Sequence, residues 1–384
     1  MNISPPVIYY HSVAPELFEH WGFKFLTHRL IDFEDQLDYL KNKGYRTIFL
    51  DEWFAIRKGE NQSTGKEVCL VFDDGFLDNW VYVFPMMKKH KMKFTIFIAP
   101  ECIHPEDLIR PNLSDVWDGK GKESELDALG FVSWPELSAM HQSGLVDIQS
   151  HTMSHNKYIA GPKLEGYYYG HSNGVYPTWN TFPSIKPTYM AEKQFHTLLP
   201  FGTPIFEESS AVVTKIHYLN PDFTSAIRDV AVKFDLADKL KRKEFEREAN
   251  NIYTEYYEAE DLFTNLESDQ EYQARVRYEI IDSKRILEEK LNKSIQFLCW
   301  PHGDNSAELH AIARNAGYLA TTCGKMTKES DHVDRIPRVG AVWSLGRWLN
   351  RQKFHYKIAS HYQRQPFYSL WLVNELKNKL LKRA

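Results

Sequence analysis

The sequence predicts an α/β fold in which parallel strands alternate with helices, and three observations indicate it. The chain has 384 residues, 43% of them apolar, which is enough for one large domain with a substantial core. Residues 68–72 form a valine-rich apolar run, which is typical of a strand buried on both faces. Similar runs alternate with helical patterns, and this implies parallel strands joined by right-handed crossovers. We therefore predict a single domain over residues 1–384.

Hydrophobic spacing and stop signals predict the individual elements. Leu30, Phe33, Leu37 and Leu40 have helical spacing, and Gly44 lies just beyond the end of that helix. The same reasoning predicts helices at residues 30–42, 51–57, 79–90, 134–143, 272–291 and 307–316. The helix at 79–90 is expected to kink or begin at its proline. The predicted strands are residues 7–10, 47–50, 68–72, 94–99, 146–150, 295–300, 318–322 and 335–339.

Two segments depart from this alternation. Residues 157–269 begin with an aromatic, proline-punctuated stretch and continue as charged helical material, so we interpret them as an insertion at the rim of the barrel. A structural cap or an oligomer contact is the alternative interpretation. Residues 341–384 are predicted to be a C-terminal helical extension. Its last helix, 367–384, is amphipathic; a packed helix is favoured, and attachment to an anionic membrane surface stays open. The basic residues of that helix are Lys377, Lys379, Lys382 and Arg383.

Composition limits the classes of partner and compartment. The net charge is −4, from 47 basic and 51 acidic residues, so no overall field favours nucleic acid or an anionic membrane as a partner. The four cysteines are far apart and mostly in apolar runs, which is typical of free thiols in a reducing compartment. The sequence shows no signal peptide and no stretch long and apolar enough to cross a bilayer. We expect a cytoplasmic protein, unless a leader was removed from this chain.

Two carboxylates directly follow the predicted strand 68–72. Asp73 and Asp74 can face one pocket only if the chain turns there, and Gly75 makes such a turn easy. Adjacent half-buried carboxylates repel each other unless a cation lies between them or one of them serves as a base. The alternatives are a solvated loop or a helix cap at Asp78, because Asp and Gly are ordinary turn residues.

Two histidines with metal-ligand spacing follow the predicted strand 146–150. His151 and His155 are four residues apart, so both imidazoles can reach one cation, although such pairs also arise by chance. In a barrel of parallel strands, the C-terminal strand ends open on one rim, so these imidazoles can converge with Asp74. His11 ends the first predicted strand and is either a pocket residue or a capped structural one.

These pieces together resemble the polysaccharide deacetylase family, the carbohydrate esterases with a NodB-homology domain. The resemblance covers about residues 5–155 and 270–340. The matching motifs are Phe72-Asp73-Asp74-Gly75, His151-Thr152-Met153-Ser154-His155 and a variant third motif, Pro301-His302-Gly303. The opening Tyr10-His11-Ser12-Val13 resembles the subgroup in which the motif carrying the acid histidine lies at the N-terminus, as in biofilm poly-N-acetylglucosamine deacetylases.

The resemblance implies a distorted (β/α)7 barrel and a set of roles. Asp73 would be the general base and His11 the general acid. The metal ligands would be Asp74, His151 and His155. Zinc is the expected metal, with cobalt, nickel or another divalent ion as alternatives.

The third motif differs from the family pattern at two positions. Cys299 stands where the family has an arginine that braces the base, and Arg338 or Arg335 could take over that task. His302 replaces the aromatic residue after the proline and is a candidate for substrate contact, as is Arg338.

The chemistry of this constellation is amide hydrolysis. An ion held by one carboxylate and two imidazoles leaves positions open for water and a substrate carbonyl, and it acidifies the one and polarises the other. We therefore predict a metal-dependent hydrolase that removes an N-acetyl group from an amino sugar in a surface-glycan, lipid-linked or nucleotide-linked saccharide. One alternative is a deformylase or another non-peptide amide hydrolase. The other is a catalytically silent carbohydrate-binding protein. The sequence does not predict the oligomeric state.

Overall fold

A computed structural model describes residues 3–17, 23–170, 172–189, 197–341 and 345–381. Lys382 and Arg383 of the predicted basic tail lie outside these residues, and the side chains of Lys377 and Lys379 are outside the description as well. Among the described residues, no helix combines the length and apolarity that crossing a bilayer requires.

The described residues form fifteen strands and fourteen α-helices. The strands are β1 Val7–Tyr10, β2 Ser12–Ala14, β3 Thr27–Arg29, β4 Arg46–Thr47, β5 Glu67–Phe72, β6 Phe94–Ile98, β7 Val146–Ser150, β8 Lys157–Tyr167, β9 Pro204–Ser210, β10 His217–Leu219, β11 Phe263–Leu266, β12 Phe297–Leu298, β13 Ala320–Thr322, β14 Arg335–Ile336 and β15 Arg338–Gly340. The helices are α1 Leu30–Asn42, α2 Leu50–Lys58, α3 Phe84–His90, α4 Leu113–Trp117, α5 Trp134–Gln142, α6 Val175–Thr181, α7 Lys186–Tyr189, α8 Pro221–Ala231, α9 Lys239–Glu258, α10 Asp269–Arg277, α11 Ser283–Leu291, α12 Ala307–Asn315, α13 Arg347–His361 and α14 Phe367–Leu381.

The main sheet is parallel and nearly closes on itself. Its strand order is β14-β13-β12-β7-β6-β5-β1-β15, with β4 beside the start of β5. The strands β14 and β15 are separated only by Pro337, yet they lie at opposite ends of this order. Pro337 has no N–H to donate, so the last strand breaks there and passes from one edge of the sheet to the other. Counted as one broken strand, β14 and β15 complete a seven-stranded barrel, which confirms the predicted fold class.

The interior of the barrel sets which residues reach its mouth. Cys69 and Val71 of β5 pack inside with residues of the other strands, whereas Leu70 and Phe72 pack against the outer helices. This alternation along the strand directs Asp73, the next odd position, to the inside. At the opposite end, α2 closes the base of the barrel through the fully buried Trp53.

The segment that we predict as an insertion has its own small core. Strands β8 and β9 form an antiparallel hairpin, and α8 and α9 pack on it. Their contacts form a hydrophobic cluster around Tyr167, Phe206, Phe223 and Phe245. The shorter α6 and α7 instead lie beside the mouth of the barrel, where residues of α6 line the main cavity.

Three predicted elements differ in detail from those observed. The predicted strand 47–50 ends at Thr47, because Leu50 already begins α2. The predicted helix 79–90 opens with a wide π-helical turn at residues 79–83, since Pro85 cannot donate the hydrogen bond that a regular helix needs. The predicted helix 272–291 contains a similar wide turn at residues 278–282. Both wide turns supply residues to the site described next.

Candidate active site

The chain turns sharply at the end of β5. The Asp73 N–H donates to Tyr10 O at 3.0 Å, which extends the ladder with β1 by one residue. Asp74 and Gly75 then both have a φ of +74°, in the left-handed region. A Cβ on residue 75 would lie 2.6 Å from Ile98 Cδ1, so only glycine fits there without displacing a buried side chain. This turn brings both carboxylates into one cavity.

Asp74, His151 and His155 converge around one point. Asp74 Oδ1 lies 3.2 Å from His151 Nε2 and 3.1 Å from His155 Nε2. All three side chains are buried, yet Asp74 Oδ1 has no hydrogen-bond partner among the described residues. His151 Nδ1–H donates to Cys299 O at 2.8 Å, so its Nε2 presents a lone pair to the carboxylate. Three acceptors facing one another at this distance, with a borderline N and O donor set, fit a divalent cation.

A second group of potential ligands shares His151. Asp73, His151 and Cys299 also have ligand atoms close together. However, both oxygens of Asp73 accept from Arg338 Nη1, at 2.7 and 2.8 Å, and the Cys299 thiol donates to Asp73 Oδ1 at 3.6 Å. Because those lone pairs are already engaged, the group around Asp74 is the better candidate for a metal.

The loop that carries the two histidines is held from below by a buried glutamate. The Glu279 carboxylate accepts from the N–H groups of Met153 and Ser154, each at 3.0 Å, and from the Ser154 hydroxyl. Glu279 lies in the wide turn at residues 278–282 and is 1% exposed. Lys186 of α7, also buried, donates to Ser154 O from the other side. These bonds fix a loop in which His155 has a φ of +52°, and such strain is typical of functional sites.

Asp73 is kept ionised by its surroundings. Burial alone would raise the pKa of this carboxyl, but nearby positive charge, above all the Arg338 guanidinium, outweighs burial and lowers its pKa. Cys299 does occupy a position facing Asp73, and the arginine comes instead from β15, on the neighbouring side of β1. Arg335 points elsewhere, donating to Thr321 Oγ1 at 2.8 Å.

Replacing Arg338 by Gln is expected to shift the pH dependence of turnover. Without the guanidinium, the effect of burial on Asp73 prevails and the pKa of Asp73 rises. Because a base must be deprotonated to work, the acidic limb of the kcat/KM profile then moves to higher pH. Arg338→Lys keeps a charge near the carboxylate and should move the limb less. An unchanged limb in Arg338→Gln would show that Arg338 does not control Asp73.

His11 is a second basic side chain close to Asp73. Its Nε2 is 3.7 Å from Asp73 Oδ2, and it faces the same cavity. The Asn79 amide donates to His11 O at 2.9 Å and to Asp78 Oδ1 at 2.6 Å, and Asp78 also accepts from the hydroxyl of Ser12. Burial raises the pKa of Asp78 to about 7. The wide turn after β5 therefore fixes the backbone at His11.

The cavity above these residues has a volume of about 740 Å³. His302 lies against His155, with ring centroids 4.5 Å apart, and its Nε2 is 3.4 Å from the Tyr176 hydroxyl. Burial lowers the pKa of His302 well below its usual range, so the ring is neutral. The walls also include Phe25 and Trp300.

All seven residues that the sequence singles out line this one cavity. They are His11, Asp73, Asp74, His151, His155, His302 and Arg338. Arg338 was predicted to contact substrate, but it donates to both carboxylate oxygens of Asp73. A bracing role is therefore the better hypothesis. Glu279 was missed by sequence reasoning, although a carboxylate beside two isoleucines in a helix was a usable signal. Asp78 was considered only as a possible helix cap, and nothing in the sequence indicated Lys186 or Asn79.

Comparison with known proteins finds a family match over part of the chain. The model of the polysaccharide deacetylase family matches residues 60–176, a range that contains both carboxylates and both histidines. YxkH from Bacillus subtilis strain 168, named as a candidate polysaccharide deacetylase, is 28% identical over 112 residues. That alignment covers 29% of this chain and 38% of YxkH, so the chain spans well under two thirds of this relative.

Solved structures are similar over most of the chain. The deacetylase domain of BpsB from Bordetella bronchiseptica superposes with a TM-score of 0.50 at 15% identity, covering 88% of this chain and 96% of that one. A de-N-acetylase from Aggregatibacter actinomycetemcomitans has a TM-score of 0.47 at 17% identity, covering 83% and 86%. At this level of identity, the BpsB superposition supports the fold alone.

Proposed function

We propose that the chain is a metal-dependent hydrolase that removes an N-acetyl group from an amino sugar of a saccharide, because the polysaccharide deacetylase model matches residues 60–176. The observation that carries this proposal is the convergence of Asp74, His151 and His155 beside Asp73, a second carboxylate that stays ionised. A metal-dependent hydrolase uses both a charged base and a neighbouring cation, so this pair of groups favours a hydrolase over a binding protein.

The proposed reaction joins one water molecule to an amide. A divalent ion held by Asp74, His151 and His155 would supply the positive charge that acidifies water and polarises the amide carbonyl. Asp73 accepts the proton of the attacking water, and Arg338 holds its carboxylate in position. His11, on the opposite side of Asp73, donates a proton to the leaving nitrogen. The products are acetate and a free amine.

The cavity supports a saccharide as the substrate. Its volume suits one or two sugar rings, and Phe25, although 70% exposed, lines it as an aromatic surface on which a ring can stack. The ammonium group of Lys157 lies 5.2 Å from the centre of the Tyr176 ring at the cavity wall. A cation there suits the phosphates of a nucleotide-linked or lipid-linked sugar, and a neutral glycan of the cell surface is the remaining class.

Acetate release tests this function directly. The full chain is incubated with zinc, cobalt or nickel and with nucleotide-linked, lipid-linked and free N-acetylated saccharides, and acetate is measured. We expect metal-dependent release from at least one class. Release of formate alone from N-formyl analogues would favour a deformylase. Saccharide binding without any hydrolysis after metal addition would favour the silent binding protein, a hypothesis that the presence of Arg338 beside Asp73 weakens.

Replacing His11 by Ala is expected to lower kcat by about a hundredfold or more, because the leaving nitrogen loses its proton donor. Metal content should stay at the wild-type level, since His11 is not among the three proposed ligands. Asn79→Ala removes the hydrogen bonds to His11 O and Asp78 Oδ1 but leaves the His11 imidazole in place, so it should have a smaller effect on kcat. Near-normal turnover of His11→Ala would place the acid elsewhere in the cavity, with His302 as the next candidate.

The cytoplasmic location and the zinc preference stay predictions. All four cysteines are free and buried, as expected for a reducing compartment. Cell fractionation and elemental analysis of the protein purified from its source test these two points.

A further inference from the structure

The C-terminal helix α14 leaves an unusual amount of apolar surface in contact with solvent. Leu370, Trp371, Leu372 and Val373 are 54%, 38%, 40% and 63% exposed. Consecutive helical residues point about 100° apart, so these four side chains surround the helix instead of forming one face. Packing against the barrel on one side could not bury all of them.

Among the described side chains of α14, those of the first turn contact the rest of the chain. The Phe367 ring lies 4.7 Å from the ring of His355 in α13, and every described residue from Ser369 to Asn374 is exposed. Just before the helix, Arg364 donates to Tyr45 Oη and Gly65 O, each at 2.7 Å. These bonds fix the start of α14 at the base of the barrel, near the N-terminal ends of β4 and β5.

The base of the barrel next to α14 is rich in cations. We call this surface the basic patch, and it consists of Lys41, Lys43, Arg46, Lys66, Lys91 and Lys93. Acidic groups also face it: Asp38, Glu34, which pairs with Lys89 at 2.8 Å, and Glu52 and the buried Glu67, which lie 2.5 and 3.6 Å from Arg46. The surface is therefore positive, although the whole chain has a net charge of −4.

A pocket of about 340 Å³ lies within the basic patch. Lys41, Arg46, Lys91 and Lys93 line it, together with Tyr45, whose hydroxyl accepts from Arg364. His90 also lines it; the residue is 9% exposed, and neither ring nitrogen has a hydrogen-bond partner among the described residues. His90 Nδ1 lies 3.8 Å from Asp38 Oδ1, so Nε2 is the ring nitrogen available to donate to an anionic oxygen in this pocket lined by cations.

We propose that α14 and the basic patch together form a docking surface for an anionic lipid bilayer. The apolar ring of α14 enters the interfacial region, where Tyr368 and Trp371 suit the boundary between headgroups and acyl chains. The basic patch contacts the lipid phosphates, and the pocket at His90 binds one of them. This inference goes beyond the proposed function and does not depend on it.

Charge favours a bilayer over a second copy of the chain as the occupant. The sequence of α14 continues with Lys377 and Lys379. Two copies that met through this helix would bring these cations and both basic patches together, and like charges repel. An anionic surface complements the apolar ring and the cations at once. Docking through the base leaves the cavity, at the C-terminal strand ends, open to the aqueous side.

Vesicle flotation of the full chain tests the proposal. We expect binding to phosphatidylcholine vesicles with about one-third phosphatidylglycerol, weakened by salt, and little binding to pure phosphatidylcholine. Both Leu370→Glu/Leu372→Glu and Lys41→Glu/Lys91→Glu should weaken binding by about tenfold or more. The matched controls, Val232→Glu/Leu240→Glu and Lys239→Glu/Lys243→Glu, change exposed residues outside the docking surface and should bind like the wild type.

Three results would overturn the proposal. They are no wild-type binding to anionic vesicles, equal binding to both vesicle types, and equal loss of binding in the controls. A dimer in light scattering that Leu370→Glu/Leu372→Glu dissociates, without any vesicle binding, would show instead that a second copy covers α14. Unfolding temperatures and acetate release without vesicles should match the wild type in all four variants, which keeps a failure here distinct from a failure of the proposed activity.

Discussion

Replacing Asp73 by Asn is expected to lower kcat by about a thousandfold or more while the protein keeps its metal. The amide is close in shape to the carboxylate but cannot accept a proton from water at neutral pH, so the general base is lost. Asp73 is not one of the three proposed ligands, and its two oxygens are held by Arg338. Stopped acetate release with an unchanged metal-to-protein ratio is the measurement that checks this.

The substitution also has a structural cost that the experiment must separate from chemistry. Breaking one side of a buried ion pair costs about 3–5 kcal/mol, because Arg338 is left without its full counter-charge. Turnover should therefore be compared below the unfolding temperature of the variant. If Asp73→Asn lost metal to the same extent as variants of Asp74, the division of roles between the two carboxylates would be wrong.

Replacing Asp74 by Ala is expected to remove the metal and, with it, nearly all activity. Asp74 Oδ1 is the point where His151 Nε2 and His155 Nε2 meet, and two imidazoles without the carboxylate form an incomplete site. Burial opposes ionisation of Asp74, but the two histidines outweigh it and hold its pKa well below the usual range, so the ligand is charged at neutral pH. Elemental analysis and zinc titration calorimetry check the loss of binding.

Cys299→Ser provides the matched control for this prediction. It removes a ligand atom from the competing group of Asp73, His151 and Cys299 but leaves the group around Asp74 intact. We expect wild-type zinc affinity in this variant. Normal zinc binding in Asp74→Ala together with a loss in Cys299→Ser would move the metal to the competing group.

The parts of the site that lie at strand ends were predictable from the sequence. Asp73 and Asp74 directly follow β5, and His151 and His155 directly follow β7, so placing two strands in a parallel barrel was enough to bring them together. The resemblance to a known family added His11, at the end of β1, on the same grounds. Such predictions need only the direction of each strand, which hydrophobic runs reveal.

The bracing of the base could not be predicted in the same way. Arg335 and Arg338 looked equivalent in one predicted strand, and only the break at Pro337 separates them. Arg335 then faces Thr321 and Arg338 faces Asp73. Choosing between them requires the closure of the barrel, which depends on long-range register and not on local spacing.

The supporting residues were missed for a related reason. Glu279 reaches Ser154 because a wide turn interrupts its helix, and a helix of regular pitch was predicted there. Lys186 comes from the segment after β8, where the sequence shows no periodicity to interpret. The exposed residues 369–374 of α14 also differ from the packed helix that its amphipathic pattern favoured, because four consecutive apolar residues cannot share one face.

The position of a bound ion tests the central claim most directly. Crystals of the wild-type protein grown with zinc and measured at the zinc absorption edge locate the metal by anomalous scattering. The account predicts one strong peak in contact with Asp74 Oδ1, His151 Nε2 and His155 Nε2, beside but not bound to Asp73. A peak coordinated by Asp73 and Cys299, or no peak in crystals of protein that still releases acetate, would contradict it.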